Sequence, residues 1–343
     1  MTAPGVAGPS ATPEPSPGPG GVGLVRRLGP FDGAAVIVSN VIGGGIFFLP
    51  AIVAQSAPHP WAVMAVWSVG GVMAFAGAMA YAELSALRPR AGGEYVYLRE
   101  AFGPLAAFLT GWTSFVAGFS GAIAASAVAL ASYLSRFVPV AGDLTPLLII
   151  RLGPLDLVVS PQALVAVSVI AALSGVHILG LGPGRVVQNL LAGLKLAILI
   201  GFVVLGFAIG DGSSAHFAEG GSVSPSLWAF ALIPVMFSYS GWNAATYVAE
   251  EIREPGRNVP LALGLGTVAV VVIYLALNLL YVYALPISEF ATIDARIVDA
   301  ASEQLFGPLV AGPLAAASVV MIAASISAMI LAGPRVYYAM ARD

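Results

Sequence analysis

Two short stretches and one lysine carry the residue types that could do chemistry in this chain. The first stretch is Asn40-Val41-Ile42-Gly43-Gly44-Gly45-Ile46-Phe47, set inside a long apolar run. Each glycine costs a helix roughly 1 kcal/mol against alanine, so Gly43, Gly44 and Gly45 predict a break. In lipid, unwound backbone survives only where protein buries it or where it lines a cavity. Free amide N–H groups there, followed by the electropositive N-terminus of a half-helix, suit a carboxylate. Close packing of helices across small residues is the alternative.

The second stretch is Phe237-Ser238-Tyr239-Ser240-Gly241-Trp242-Asn243, with Pro234 just before it. Small polar residues, a glycine and bulky aromatics share the middle of an apolar segment. Two interrupted helices at corresponding places in two halves of a chain point to an inverted-repeat transporter with its site at the repeat interface. For Phe237 and Trp242 taken singly, core filling remains open.

Lys195 is the only lysine, and it falls in the middle of an apolar run. A cation centred in a span costs roughly 2.5–3.5 kcal/mol on insertion scales. Arg185, Gln188, Ala192 and Lys195 recur at intervals that put them on one helix face, which should point into the bundle. A lysine able to release its proton in mid-membrane is a candidate proton carrier. A permanently charged ammonium that ties helices together is the alternative.

The elements that must position these residues follow from composition. Of 343 residues, 59% are hydrophobic and 9% charged, against about 25% charged in soluble domains; mean hydropathy is +0.93. A bilayer core needs about 20 apolar residues per helix. Eight spans are expected near 31–56, 61–87, 104–135, 161–180, 185–209, 227–252, 259–284 and 309–340, with a short surface helix over 293–306. Both glycine-bearing stretches open a set of helices, the first repeat running about 31–209 and a partial second about 227–343. Residues 1–23 are Pro, Gly, Ala and Ser with one charge, Glu14; that composition predicts a disordered tail, with the transport domain over 24–343. It lacks the basic start and apolar centre of a signal peptide.

With the N-terminus cytoplasmic, Arg26, Arg27, Arg88, Arg90, Arg99, Arg185, Arg253, Arg257, Arg335 and Arg342 fall inside and only Arg136, Arg151 and Arg296 outside. The positive-inside rule selects that orientation, with both termini cytoplasmic. A net charge of −3 does not suggest nucleic acid. Cysteine is absent, which removes disulfides and thiolate metal sites, and His59, His177 and His216 lack metal-ligand spacing. No metal and no cofactor is expected. Without a nucleophile–base pair or a nucleotide loop, an enzyme is the least favoured class.

Other polar residues read as supports. Thr267, Tyr274, Asn278 and Tyr281 form a stripe, and Ser318 and Ser325 lie two turns apart; interhelical hydrogen bonding accounts for both sets. Glu83, Glu250 and Glu251 are expected to form a cytoplasmic gate or latch, with Arg253, Arg257 or the basic loop around Arg88 to Arg99 as partners. Trp61 and Trp112 suit interface belts or packing.

Taken together, these stretches resemble the amino acid–polyamine–organocation transporters, and within them the L-type-like amino-acid permeases. Ile42-Gly43-Gly44-Gly45-Ile46-Phe47 is similar to that family's Ile-Gly-Ser-Gly-Ile-Phe, with Gly44 where serine is common. Phe237 to Asn243, with Glu250-Glu251 and Pro255-Gly256-Arg257-Asn258-Val259-Pro260, resembles its sixth-helix signature. Pro89-Arg90-Ala91-Gly92-Gly93-Glu94-Tyr95-Val96-Tyr97 resembles the loop after its second helix, and Gly333 to Asp343 the end of its eighth.

The resemblance implies an all-α polytopic LeuT-like fold in the plasma membrane, working by alternating access. It implies that the amides of Gly43, Gly44 and Gly45 receive a substrate α-carboxylate. Backbone carbonyls near Phe237, Ser238 and Ser240 would receive the α-amine, with Phe237 as an aromatic gate and Trp242 beside it. Losing the serine hydroxyl at Gly44 bears on substrate preference. Lys195 matches a lysine that similar members place where sodium-driven relatives hold a cation, which implies sodium-independent transport, by proton coupling or exchange. The family usually has twelve helices, so a chain ending with the eighth reads as a truncated one. The implied partners are an amino acid or amine, protons and the lipid bilayer. A carrier of another organic cation or nucleobase on the same fold is a rival, and so is a channel or non-transporting membrane scaffold or fragment.

Overall fold

The computed structural model describes residues 24–152, 155–290, 292–293 and 297–343. The expected tail over 1–23, and Arg296, lie outside the described residues. The first expected span is two helices, α1 (Pro30–Val41) and α2 (Gly45–Ser56), bent by 52° at the glycine triplet. Then come α3 (Pro60–Leu87), α4 (Glu94–Phe102), α5 (Pro104–Thr113) and α6 (Phe119–Leu134), the last two joined by a π turn over Ser114–Gly118. An antiparallel hairpin of β1 (Leu148–Leu152) and β2 (Leu155–Val159) precedes α7 (Pro161–Ile178) and α8 (Leu181–Ile209).

The sixth expected span is divided into α9 (Pro225–Phe230), α10 (Leu232–Ser238) and α11 (Ala244–Tyr247). The chain then forms α12 (Pro255–Ala284), α13 (Ile287–Phe290), α14 (Ile297–Phe306) and α15 (Ala311–Ala341). Six described helical stretches are long and apolar enough to cross a membrane, the bent α1–α2 pair makes a seventh if taken as one span, and Pro225–Ser238 is a shorter apolar stretch.

Local sequence explains most boundaries. Proline occupies the first turn of α1, α3, α5, α7, α9 and α12, where its missing N–H costs nothing and its fixed φ favours the helix. Ser160 Oγ accepts the Ala163 N–H to cap α7. Two elements depart from expectation. The hairpin falls between the third and fourth expected spans, where no element is expected, yet its strands carry the β-branched pairs Ile149-Ile150 and Val158-Val159, which favour strands. The other, α4, is a nine-residue helix with too little apolar length to register as a span.

The core forms where α12 packs against α3 and α1. Trp67, Tyr239 and Tyr274 meet there, with ring centroids 5.1–5.8 Å apart. A Cβ built on Gly266 would stand 2.9 Å from Ile37 Cβ, so only glycine lets α12 lie this close to α1. Gly266→Val is expected to lower the melting temperature measurably, since overpacking of this kind costs about 1–3 kcal/mol.

Candidate functional site

At the first break Gly43 N–H donates to Val41 O (2.8 Å) and Phe47 N–H to Gly44 O (2.9 Å). Gly44 is exposed and offers no side-chain cap. The first amides of α2 therefore have no intrahelical acceptor, and the open donors are those of Gly44 and Gly45 rather than Gly43.

At the second break α10 ends at Ser238, and Gly241 takes a φ of +98°. That conformation favours glycine. A Cβ on Gly241 would also come within 2.4 Å of Asn40 Nδ2, so crowding and φ both require glycine.

The two breaks lie against each other. A Cβ on Gly45 would meet Ser238 Oγ at 3.0 Å and Ser238 Cα at 3.2 Å. From α12, the Tyr274 hydroxyl stands 2.9 Å from Val41 O and 3.1 Å from Ser238 O, the carbonyls that end α1 and α10. Its single proton serves one carbonyl at a time, which links the two ends. An electropositive helix start, at Gly45, thus sits beside an electronegative helix end, at Ser238.

Lys195 closes the other side of the first break. Its fully buried ammonium donates to Ser39 O (3.0 Å), Ile42 O (2.6 Å) and Ser325 Oγ (2.8 Å), and Ser325 donates in turn to Ile42 O (3.2 Å). Three N–H donors meet three acceptors on α1 and α15, so the lysine joins the first, fifth and eighth expected spans.

Not every expected site residue points into this junction. Phe237 is 71% exposed. Ser240 is exposed, and its N–H donates to Phe237 O (3.1 Å). Trp242 turns away to stack edge-on against Tyr81 (centroids 4.9 Å) over Gly77. Sequence reasoning missed Tyr274 and Ser325 as site residues. Both stood in stripes that interhelical hydrogen bonding explained, and only the identity of their partners, at the two breaks and Lys195, separates them from Tyr281 and Ser318.

The latch also differs from expectation. Glu251 is paired with Arg335 (2.9 Å) and Glu250 with Arg342 (3.2 Å), both from the end of α15, rather than with Arg253, Arg257 or an arginine of the basic loop. Glu250 also accepts the backbone N–H of Leu24 and Ala91. The reason is reach: the end of α15 packs on α11, while Arg253 is turned outward and exposed. Among the described residues no group of three or more His, Asp or Glu side chains could hold a metal ion.

The break contacts make a direct prediction. A side chain on Gly44 would touch only Phe48, at 3.6 Å, so Gly44→Ser should fold normally. Gly45→Ala should push α2 off Ser238, and it is expected to cut substrate binding at least tenfold while Gly44→Ser changes it less. Ligand-dependent thermal shift measures both.

A family model described as amino acid permease matches residues 28–343. The chain belongs to that family. It is 28% identical over 287 residues to the mouse b(0,+)-type amino acid transporter 1, covering 82% of this chain and 56% of that protein. It is 28% identical over 351 residues to the human large neutral amino acids transporter small subunit 2, covering 99% of this chain and 62% of that one. The serine/threonine exchanger SteT of Bacillus subtilis is 26% identical over 320 residues, 93% of this chain and 69% of the exchanger. The chain thus spans little more than half the length of the first of these relatives. Two are transporters by name and the third is an exchanger, and none is an enzyme.

Among solved structures, Mhp1, a nucleobase-cation-symport-1 family transporter in a closed conformation with bromovinylhydantoin bound, superposes with a TM-score of 0.63 at 16% identity. The match covers 93% of this chain and 69% of that one. That likeness concerns the fold, which is LeuT-like.

Proposed function

We propose that this permease-family chain carries amino acids across the cytoplasmic membrane by alternating access, with two inverted repeats rocking about the paired breaks. One observation carries the reading: the start of α2 at Gly45 touches the end of α10 at Ser238. Opposite helix-dipole ends side by side complement a zwitterion. In this reading Gly44 and Gly45 amides take the α-carboxylate, carbonyls of the Phe237–Ser240 stretch take the α-ammonium, and Phe237, exposed beside them, closes over the bound solute. The names of the sequence relatives support an amino-acid substrate, whereas the likeness to Mhp1 supports the fold alone.

Lys195 bridges α1 and α15, and in this reading it stands in for a bound cation, so transport should be independent of sodium and driven by protons or exchange. The arginine-rich end, with Arg99, Arg335 and Arg342, is cytoplasmic in this reading. The test is uptake of a radiolabelled amino-acid panel by reconstituted protein, with sodium and pH gradients varied independently. Sodium-independent uptake or exchange of at least one amino acid is expected; none under any condition overturns the reading.

A further inference from the structure

The loop between α3 and α4 delivers a carboxylate to the second broken helix. Gly92 and Gly93 take φ of +107° and +51°, and a Cβ on Gly93 would come within 2.6 Å of Thr246 Oγ1. Gly92 N–H donates to Tyr247 O (3.2 Å). This turn points Glu94 at α11, where Oε1 accepts from Asn243 Nδ2 and Oε2 from the Tyr247 hydroxyl (3.2 Å). Tyr81 faces the same carboxylate from α3, within the aromatic group of Tyr81, Tyr97 and Trp242.

Every one of these partners is a neutral donor. The guanidinium groups of the surrounding elements are mostly committed elsewhere: Arg88 to Glu100, Arg99 to Asp343, Arg335 to Glu251 and Arg342 to Glu250. Glu83 and Arg90 are exposed, and Tyr95 and Tyr97 lie on α4 itself. Among the described residues no cation stands within ion-pair distance of Glu94. A half-buried carboxylate with no cation beside it is open to a proton. Burial pushes its carboxyl up from the ordinary carboxylate range, against the lowering effect of Tyr247, Asn243 and Tyr81.

We propose that Glu94 is a proton-binding residue of the transport cycle: charged, it clamps α11 to the α3–α4 loop; protonated, it lets α11 go. Hydrogen bonds to a charged acceptor are roughly twice as strong as neutral ones. The clamp is therefore full above the carboxyl's titration and is lost as pH falls through it. Asn243 and Tyr247 belong to the half-helix that follows the Gly241 break, the part that has to move if the cytoplasmic side opens. The inference rests on the alternating-access reading, but it is tested without substrate, so the two can fail separately.

The chain has no cysteine, so a single introduced thiol reports cleanly. Thr246→Cys is buried beneath Gly93, and Gly256→Cys is exposed in open space. The ratio of their maleimide labelling rates removes the effect of thiol ionisation. Between about pH 8 and about pH 4, from above the ordinary carboxylate range down into it, the ratio should rise roughly tenfold. With Glu94→Gln it should be high at every pH. With Tyr247→Phe, which removes one donor to the charged form, the rise should begin at a higher pH. Hydrogen exchange of residues 244–251 in otherwise unaltered protein, normalised to intrinsic rates, gives the same readout should the cysteine variants fail to fold. A ratio and an exchange profile that stay flat with pH, or a Glu94→Gln protein that keeps the original transition, overturns the proposal.

Discussion

Lys195→Met is expected to abolish transport and to cause a large loss of thermal stability. Methionine matches the lysine in length and fits the apolar surroundings, so packing should survive. The three hydrogen bonds from Nζ will not. Ile42 O keeps the Ser325 hydroxyl as a donor (3.2 Å), but Ser39 O loses the ammonium that reaches it in the bundle interior. A buried carbonyl left without a donor costs about 1–3 kcal/mol, and no water reaches it from lipid. The end of α1 should fray toward the break and misplace the open amides of Gly44 and Gly45.

Two measurements divide a coupling role from a structural one. If Lys195 carries the proton, any residual exchange in Lys195→Met should be insensitive to the pH gradient. If it only fixes α1, α8 and α15, residual exchange should keep its pH dependence while the melting temperature falls. A variant with intact proton-coupled uptake defeats the carrier role, and the melting temperature then decides the structural one.

How much of this was legible beforehand depends on the physical signal each residue sends. Gly43 to Gly45 and Lys195 stand out because each is costly in a membrane helix, so a local rule flags them without knowledge of any neighbour. The pairing of two breaks was readable because both break helical pattern in the same place within a repeat. Tyr274 and Ser325 send no such signal. A buried tyrosine or serine facing another helix is ordinary, and what distinguishes these two is a partner 233 or 130 residues away in the chain.

The same limit explains Glu251, whose partner Arg335 lies 84 residues on, while basic residues closer in sequence looked equally able to pair. Gly43 shows the reverse case. Its sequence context matched a ligand-binding turn, but whether its own N–H was free depended on ψ angles that no pattern encodes, and the bond to Val41 O occupies it. Trp242 likewise sits in the right motif, yet the absence of a side chain at Gly77 lets its ring lie against α3 instead.

Tyr274→Phe should separate binding from movement. The change removes one oxygen from a fully buried ring and leaves the contacts with Trp67 and Tyr239 in place. Val41 O retains the Gly43 N–H, so the stability loss should be near 1 kcal/mol, the usual net worth of one hydrogen bond. Transport should suffer more, because this hydroxyl stands between the carbonyls that end both broken helices and can donate to either. Coupling between sites is typically about 1–3 kcal/mol, and a loss of that size in the transport step would slow exchange roughly fivefold or more.

Tyr281 supplies the control. It is equally buried on the same face of α12, two turns along, and its hydroxyl has no hydrogen-bond partner among the described residues. Tyr281→Phe should therefore leave both melting temperature and exchange rate close to the parent protein. If Tyr281→Phe slows exchange as much as Tyr274→Phe does, the loss reflects general perturbation of α12, and the bridge between Val41 and Ser238 has no part in transport.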